Sequence, residues 1–191
     1  MPYLNLFRMP TPVSITGRSS SITNSFINGI IPVIHPSAAQ VEEVLATLGM
    51  TSETFQCAYC GAKATEWDHL RPLVIAKRPT GYFSEIHNLV PACGKCNQSK
   101  GNKDWESWMR STAKLSPKTR AIVDLEERIE KIRAYVLWSS PRKIDFAKIV
   151  GEDIWAQHWV NCEKLHAQMK EAQILAKQIN EKVGKAYRDA A

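Results

Sequence analysis

Residues 57–104 read CAYCGAKATEWDHLRPLVIAKRPTGYFSEIHNLVPACGKCNQSKGNKD, and the rest of the chain is arranged around them. Two Cys-x2-Cys pairs bracket the stretch, Cys57/Cys60 and Cys93/Cys96. Thiolates at i and i+3 can face one ion when the chain makes a tight knuckle. Two knuckles supply four sulfurs, the set that a tetrahedral Zn2+ takes with no position left open for chemistry. Such an ion would fold the segment rather than catalyse; structural zinc contributes about 10–16 kcal/mol in small modules. Four buried free thiols or two disulfides are the other use of this pattern. Gly61 follows the first pair and Gly94 lies inside the second, where tight turns are expected to need φ freedom.

Between the pairs stands Asp68-His69. A histidine near its neutral pKa takes a proton from water at pH 7. The neighbouring carboxylate suits a hard divalent cation, whose ligands are oxygens. Asn97 offers an amide oxygen to the same ion, and it follows Cys96 directly, so the knuckle governs where it points. Adjacent strand residues face opposite ways. A site using both Asp68 and His69 therefore requires the strand to end or bend there, and Pro72 fits that requirement.

The run Asp68-His69, then Asn88-Leu89-Val90-Pro91, then Cys93-x2-Cys96-Asn97-x2-Lys100 resembles HNH endonucleases of the ββα-metal class, over about a quarter of the chain. The resemblance implies that His69 is the general base. It implies that Asp68 and Asn97 hold one catalytic ion and that Asn88 braces the loop carrying His69. Asn97 stands where the family's third letter has His, a variant that implies Mg2+ or Mn2+ at this centre. It also implies cleavage of DNA, double-stranded by expectation, to 5′-phosphate and 3′-hydroxyl ends. Lys100 shares a helix face with Asn97 at i, i+3 and is expected to steady the scissile phosphate or the leaving oxygen.

The chain has 191 residues and a formal charge of +6, with 44% hydrophobic residues. The basic balance favours a polyanionic partner. Within 57–110, eight basic residues stand against five acidic ones. Arg71, Lys77, Arg78, Lys100 and Lys103 are the candidate nucleic-acid contacts, with a solvated loop as the bland use of the first three. No run of 18 apolar residues appears, which excludes a membrane-spanning helix. The first residues lack the charged start and apolar run of a signal peptide. Reduced, metal-bound cysteines then fit a cytoplasmic protein, bacterial or phage-encoded.

These signals give an α+β expectation: a small zinc-stapled ββα-metal core flanked by N-terminal helices and a long C-terminal helical region. The division is 1–50 (arm and helices), 51–113 (nuclease module) and 114–191 (helical, for dimerisation or DNA binding). Helices are expected at 21–31, at 37–49 with Ser37 as cap, at 104–111, at 116–138 behind Ser116-Pro117, and from Glu152-Asp153 almost to the C-terminus. Strands are expected at 63–69 and 85–91, with a turn at Pro79-Thr80-Gly81 between them. His158, Cys162 and His166 recur at metal-compatible spacing, but a helix-interface stripe accounts for them without an ion. The C-terminal helices are the candidate homodimer surface. The function implied is a metal-dependent HNH endonuclease of restriction or defence type. A homing or phage-type nicking nuclease shares the motif. A non-catalytic zinc-knuckle binding module is the alternative from another class, and it leaves Asp68-His69, Asn88 and Asn97 unexplained.

Overall fold

The computed structural model describes Tyr3 and residues 6–190; residues 1, 2, 4, 5 and 191 fall outside the described set. The chain divides into two compact units, residues 27–146 and residues 1–26 with 147–191. The architecture is α+β.

The first unit is built on a short antiparallel pair. Strand β1 (Glu66–His69) pairs with β4 (Leu89–Ala92), with Asp68 opposite Val90 and His69 opposite Leu89. Both are shorter than the sequence pattern implies. β1 ends at His69, as a shared Asp68-His69 site requires, and a single 310 turn at Ile86–Asn88 takes the place of the expected start of β4. The excursion between them contains a two-residue ladder, β2 (Val74–Ile75) with β3 (Arg78–Pro79). Its turn is at Ala76-Lys77, with φ of +49° and +60°, rather than at 79–81. Two positive φ values are what a two-residue hairpin demands; here they fall on residues that carry no signal for it. Helix α3 (Gly94–Lys100) follows β4 and completes the ββα unit.

Four helices cover this unit or lead into it: α1 (Ser19–Asn28, shared with the other unit), α2 (Ala38–Thr47), α4 (Trp105–Met109) and α5 (Leu125–Trp138). Ser37 caps α2 through a full capping box with Gln40, and Gly49 at φ +68° ends it. Asp104 caps α4 through the Ser107 amide. The helix expected from 116 starts only at 125. Ser116 does cap one turn, accepting from the Thr119 amide at 3.2 Å, but Ala121 at φ +51° stops it there. Val44, Leu45 and Leu48, with Tyr59, Leu70, Ile86, Val90, Trp108, Met109, Ile129, Ile132 and Tyr135, form one buried cluster. Each such side chain contributes about 1.5–3 kcal/mol of burial. Trp108 and Met109 are spent on this packing.

The second unit is dominated by α7 (Glu152–Asp189), preceded by α6 (Phe146–Val150). Thr23 Oγ1 meets His166 Nε2 at 3.0 Å, and the Phe26 carbonyl meets His158 Nε2 at 3.0 Å. Both histidines are therefore spent on α1, and Cys162 between them is buried. Among the described residues, no helix is long and apolar enough to cross a membrane.

Tyr135 donates from its buried hydroxyl to the Ile86 carbonyl at 2.8 Å, at the 310 turn that leads to Asn88. Tyr135→Phe should lower stability by about 1–3 kcal/mol, the cost of an orphaned buried carbonyl. Urea unfolding of the two proteins under identical metal loading checks this.

Candidate active site

The four cysteines come together. Their Sγ atoms all lie within 4.8 Å of one another, and all four residues are buried. A buried all-sulfur set of this size fits a structural zinc ion and leaves it no open position. Cys57 and Cys60 lie in the turn before β1, whereas Cys93 and Cys96 open α3. Gly61 has φ +72°, in line with its turn role. Gly94 does not have positive φ. Its missing side chain matters for another reason: an added Cβ there would lie 2.9 Å from Glu66 Oε1.

Each knuckle delivers a side chain to Asp68. Tyr59, between the first two cysteines, is fully buried and donates from its hydroxyl to Asp68 Oδ2 at 2.6 Å. Lys100, at the end of α3, sends its ammonium to Asp68 Oδ2 at 3.1 Å and Oδ1 at 3.3 Å. The same ammonium donates to the carbonyls of His69 at 2.8 Å and Gly101 at 3.2 Å. The Lys100 side chain has 0% exposure. Its expected reach to a phosphate is thus not what the geometry provides: it points inward and ties Asp68 to the backbone of His69.

Burial pushes the Asp68 carboxyl up from its ordinary value, with Lys100 pulling the other way. Burial also lowers Lys100, opposed by Asp68. His69 is lowered by burial and then by the nearby Lys100 charge, which favours the neutral imidazole. Its Nε2 lies 2.9 Å from Ser84 Oγ. Ser84 is held in turn by the Ile34 amide, which donates to its carbonyl at 2.9 Å.

Asn88 is fully buried. Its Oδ1 accepts from the Arg71 amide at 2.9 Å, and its Nδ2 donates to the carbonyls of Arg71 at 3.0 Å and Phe83 at 3.2 Å. It therefore pins the chain just after His69. Asn97 is half-buried at the first turn of α3, and its Nδ2 donates to Glu66 Oε2 at 2.6 Å. Asp68, His69 and Asn97 line one cavity of about 240 Å3, together with Asn28, Gly101 and Asn102. A carboxylate, a neutral imidazole and an amide in one recess suit a hard cation and proton transfer from water. The donor set fits a hard divalent cation, with Asp68 and Asn97 as the residues that would hold it.

The basic residues are more dispersed. Arg71 is half-buried, its Cζ 5.8 Å from the Tyr82 ring centre. Lys77 and Arg78 are exposed on the β2–β3 turn. Lys103 donates to the carbonyls of Ser99 at 2.7 Å and Lys100 at 3.4 Å, so its charge caps α3. Sequence reasoning missed Tyr59, Glu66 and Ser84. Glu66 had a usable signal, since i and i+2 share a strand face with Asp68. Ser84 had none. Two arginines beyond the motif also reach the cysteines: Arg120 donates to Cys96 Sγ at 3.2 Å and Arg128 to the Cys57 carbonyl at 3.3 Å.

Lys100→Met, measured by urea unfolding without added divalent ion, should cost about 3–5 kcal/mol by leaving Asp68 buried and unpaired. Asp68→Asn in the same chain should recover part of that loss. Simple additivity of the two substitutions would contradict the pairing.

Residues 57–103 match the family described as HNH endonuclease. A stretch of 97 residues is 35% identical to the CRISPR-associated endonuclease Cas9 of Corynebacterium diphtheriae (strain ATCC 700971 / NCTC 13129 / Biotype gravis). The match covers 49% of this chain and 8% of that protein, so this chain spans only a small part of that relative. No solved structure matches the chain significantly. The ββα arrangement and its cysteine cluster agree with this match, which marks residues 57–103 as a segment of the HNH endonuclease type.

Proposed function

We propose that the protein is a divalent-metal-dependent endonuclease that hydrolyses DNA phosphodiester bonds, with a structural zinc on Cys57, Cys60, Cys93 and Cys96. One observation carries this: Asp68, His69 and Asn97 line a single open recess in which burial favours the neutral imidazole. His69 accepts a proton from the attacking water, with Ser84 holding its Nε2 side. Asn88 keeps the backbone after His69 from shifting. Lys100 and Tyr59 hold the Asp68 carboxylate toward the cation site. When bound, Mg2+ or Mn2+ supplies charge stabilisation to the phosphoryl group and the leaving 3′ oxygen.

DNA as substrate is supported by the net charge of +6 and by the likeness to a CRISPR-associated endonuclease. A defence role of restriction type, in the cytoplasm and bacterial or phage-encoded, is part of this proposal. The exposed Lys77 and Arg78 are the proposed phosphate contacts, with Arg71 at the rim. One site cuts one strand, so a double-strand break takes two copies or two encounters. The exposed Ile174, Leu175, Ile179 and Val183 of α7 are the proposed surface for a second copy.

Supercoiled plasmid with Mg2+ or Mn2+ should be converted to nicked or linear DNA, and EDTA should stop it. His69→Ala should lower the rate by at least about 100-fold with zinc content unchanged; undiminished cleavage would refute the assigned base. The pH profile should follow the sign of the His69 shift. The base form persists below the ordinary value of 6.5, so the rate should fall only as pH drops beneath that point. A decline already complete at pH 7 would contradict it.

A further inference from the structure

Asn97 can serve a cation only through its Oδ1, and an amide side chain can present either end to the cavity. An ionised carboxylate accepts hydrogen bonds and donates none. Glu66 Oε2 lies 2.6 Å from the Asn97 amide, so the NH2 end must face Glu66. The oxygen is then turned away from Glu66, and Asn97 lines the recess with Asp68 and His69.

A second observation concerns the seat of Glu66. Its other oxygen, Oε1, lies over Gly94, where any Cβ would come within 2.9 Å of it. Gly94 has no positive φ to account for its being glycine. The space it leaves is the space the carboxylate uses. Glu66 sits two residues before Asp68 on β1, so both carboxylates lie on one strand face beside α3.

We infer that Glu66 is a positioning residue: seated over Gly94, it locks the Asn97 amide with Oδ1 free for the catalytic cation. This rests on the assignment of Asp68 and Asn97 as cation ligands. Outer partners that orient a metal ligand are worth about 10–100-fold in metal affinity, and Glu66 has that relation to Asn97.

The test is Mn2+ binding to zinc-loaded protein without DNA, read by electron paramagnetic resonance of free Mn2+. Wild type is compared with Asn97→Ala, Glu66→Ala, Glu66→Gln, Gly94→Ala and the Asn97→Ala/Glu66→Ala double variant, all at equal zinc content and melting temperature. Glu66→Ala should weaken Mn2+ by about 10-fold or more. Glu66→Gln should weaken it less, since its carbonyl end can still accept from Asn97. Gly94→Ala should weaken binding while keeping the charge, because its methyl group displaces only the flexible end of Glu66. In the double variant Glu66→Ala should add nothing to Asn97→Ala. A further loss there would mean that Glu66 attracts or ligates the cation directly, and would overturn the inference. Unchanged affinity in Glu66→Ala and Gly94→Ala, with Asn97→Ala weakened, would overturn it too and leave the cation site standing. No difference between wild type and Asn97→Ala would instead remove the cation assignment itself.

Discussion

The proposed chemistry depends on a buried carboxylate held by two donors. Asp68 is 4% exposed, and a carboxylate taken that far out of water is costly unless it is paired and hydrogen-bonded. Tyr59 and Lys100 supply the partners. Both come from segments whose geometry the cysteines control, Tyr59 from inside the first knuckle and Lys100 from the helix that the second knuckle opens. The sulfur cluster is therefore more than a staple. It sets the two groups that make a buried Asp68 tolerable, and the same second knuckle carries Asn97 to the recess.

The unit that achieves this is larger than the segment matching the family. Residues 57–103 carry the motif, yet the buried cluster extends from Val44 on α2 to Tyr135 on α5. Arg120 donates to Cys96 Sγ from a turn that ends where Ala121 adopts φ +51°. Four thiolates on a divalent ion would leave net negative charge, which the Arg120 guanidinium beside them would offset. Arg128 passes over Gly61 to reach the Cys57 carbonyl. The ββα core thus takes its packing from flanking helices and part of its charge balance from the turn that carries Arg120. The remaining unit, built on α7, uses His158 and His166 for hydrogen bonds to α1.

The sequence was most legible where one residue type has one physical use. Paired Cys-x2-Cys gave the cluster, Ser37 gave a capped helix, and the Asp68-His69 adjacency required a strand that ends at His69, as β1 does. It was least legible where side-chain direction decides. Spacing put Lys100 on the face of Asn97, but spacing does not say whether a long cation turns outward to solvent or inward to a carboxylate. Nothing in the spacing singles out Tyr59, whose partner Asp68 it meets only once the strand has folded back on the knuckle. The helix expected from 116 had the right cap and the right apolar period. It failed because tertiary contacts hold Lys118 against the Met109 carbonyl and Arg120 against Cys96, which no local propensity records. Gly94 has no positive φ, and what its missing side chain leaves is room beside Glu66 Oε1.

In the proposed enzyme a sulfur-bound ion and an oxygen-bound ion occupy separate places joined by Tyr59, Lys100 and Asn97. Anomalous diffraction from crystals of the zinc-loaded protein soaked in Mn2+ distinguishes the two ions. A zinc peak is expected inside the four sulfurs and a manganese peak in the recess, against the oxygens of Asp68 and Asn97. Manganese bound elsewhere, or a zinc peak away from the cysteines, would contradict this arrangement.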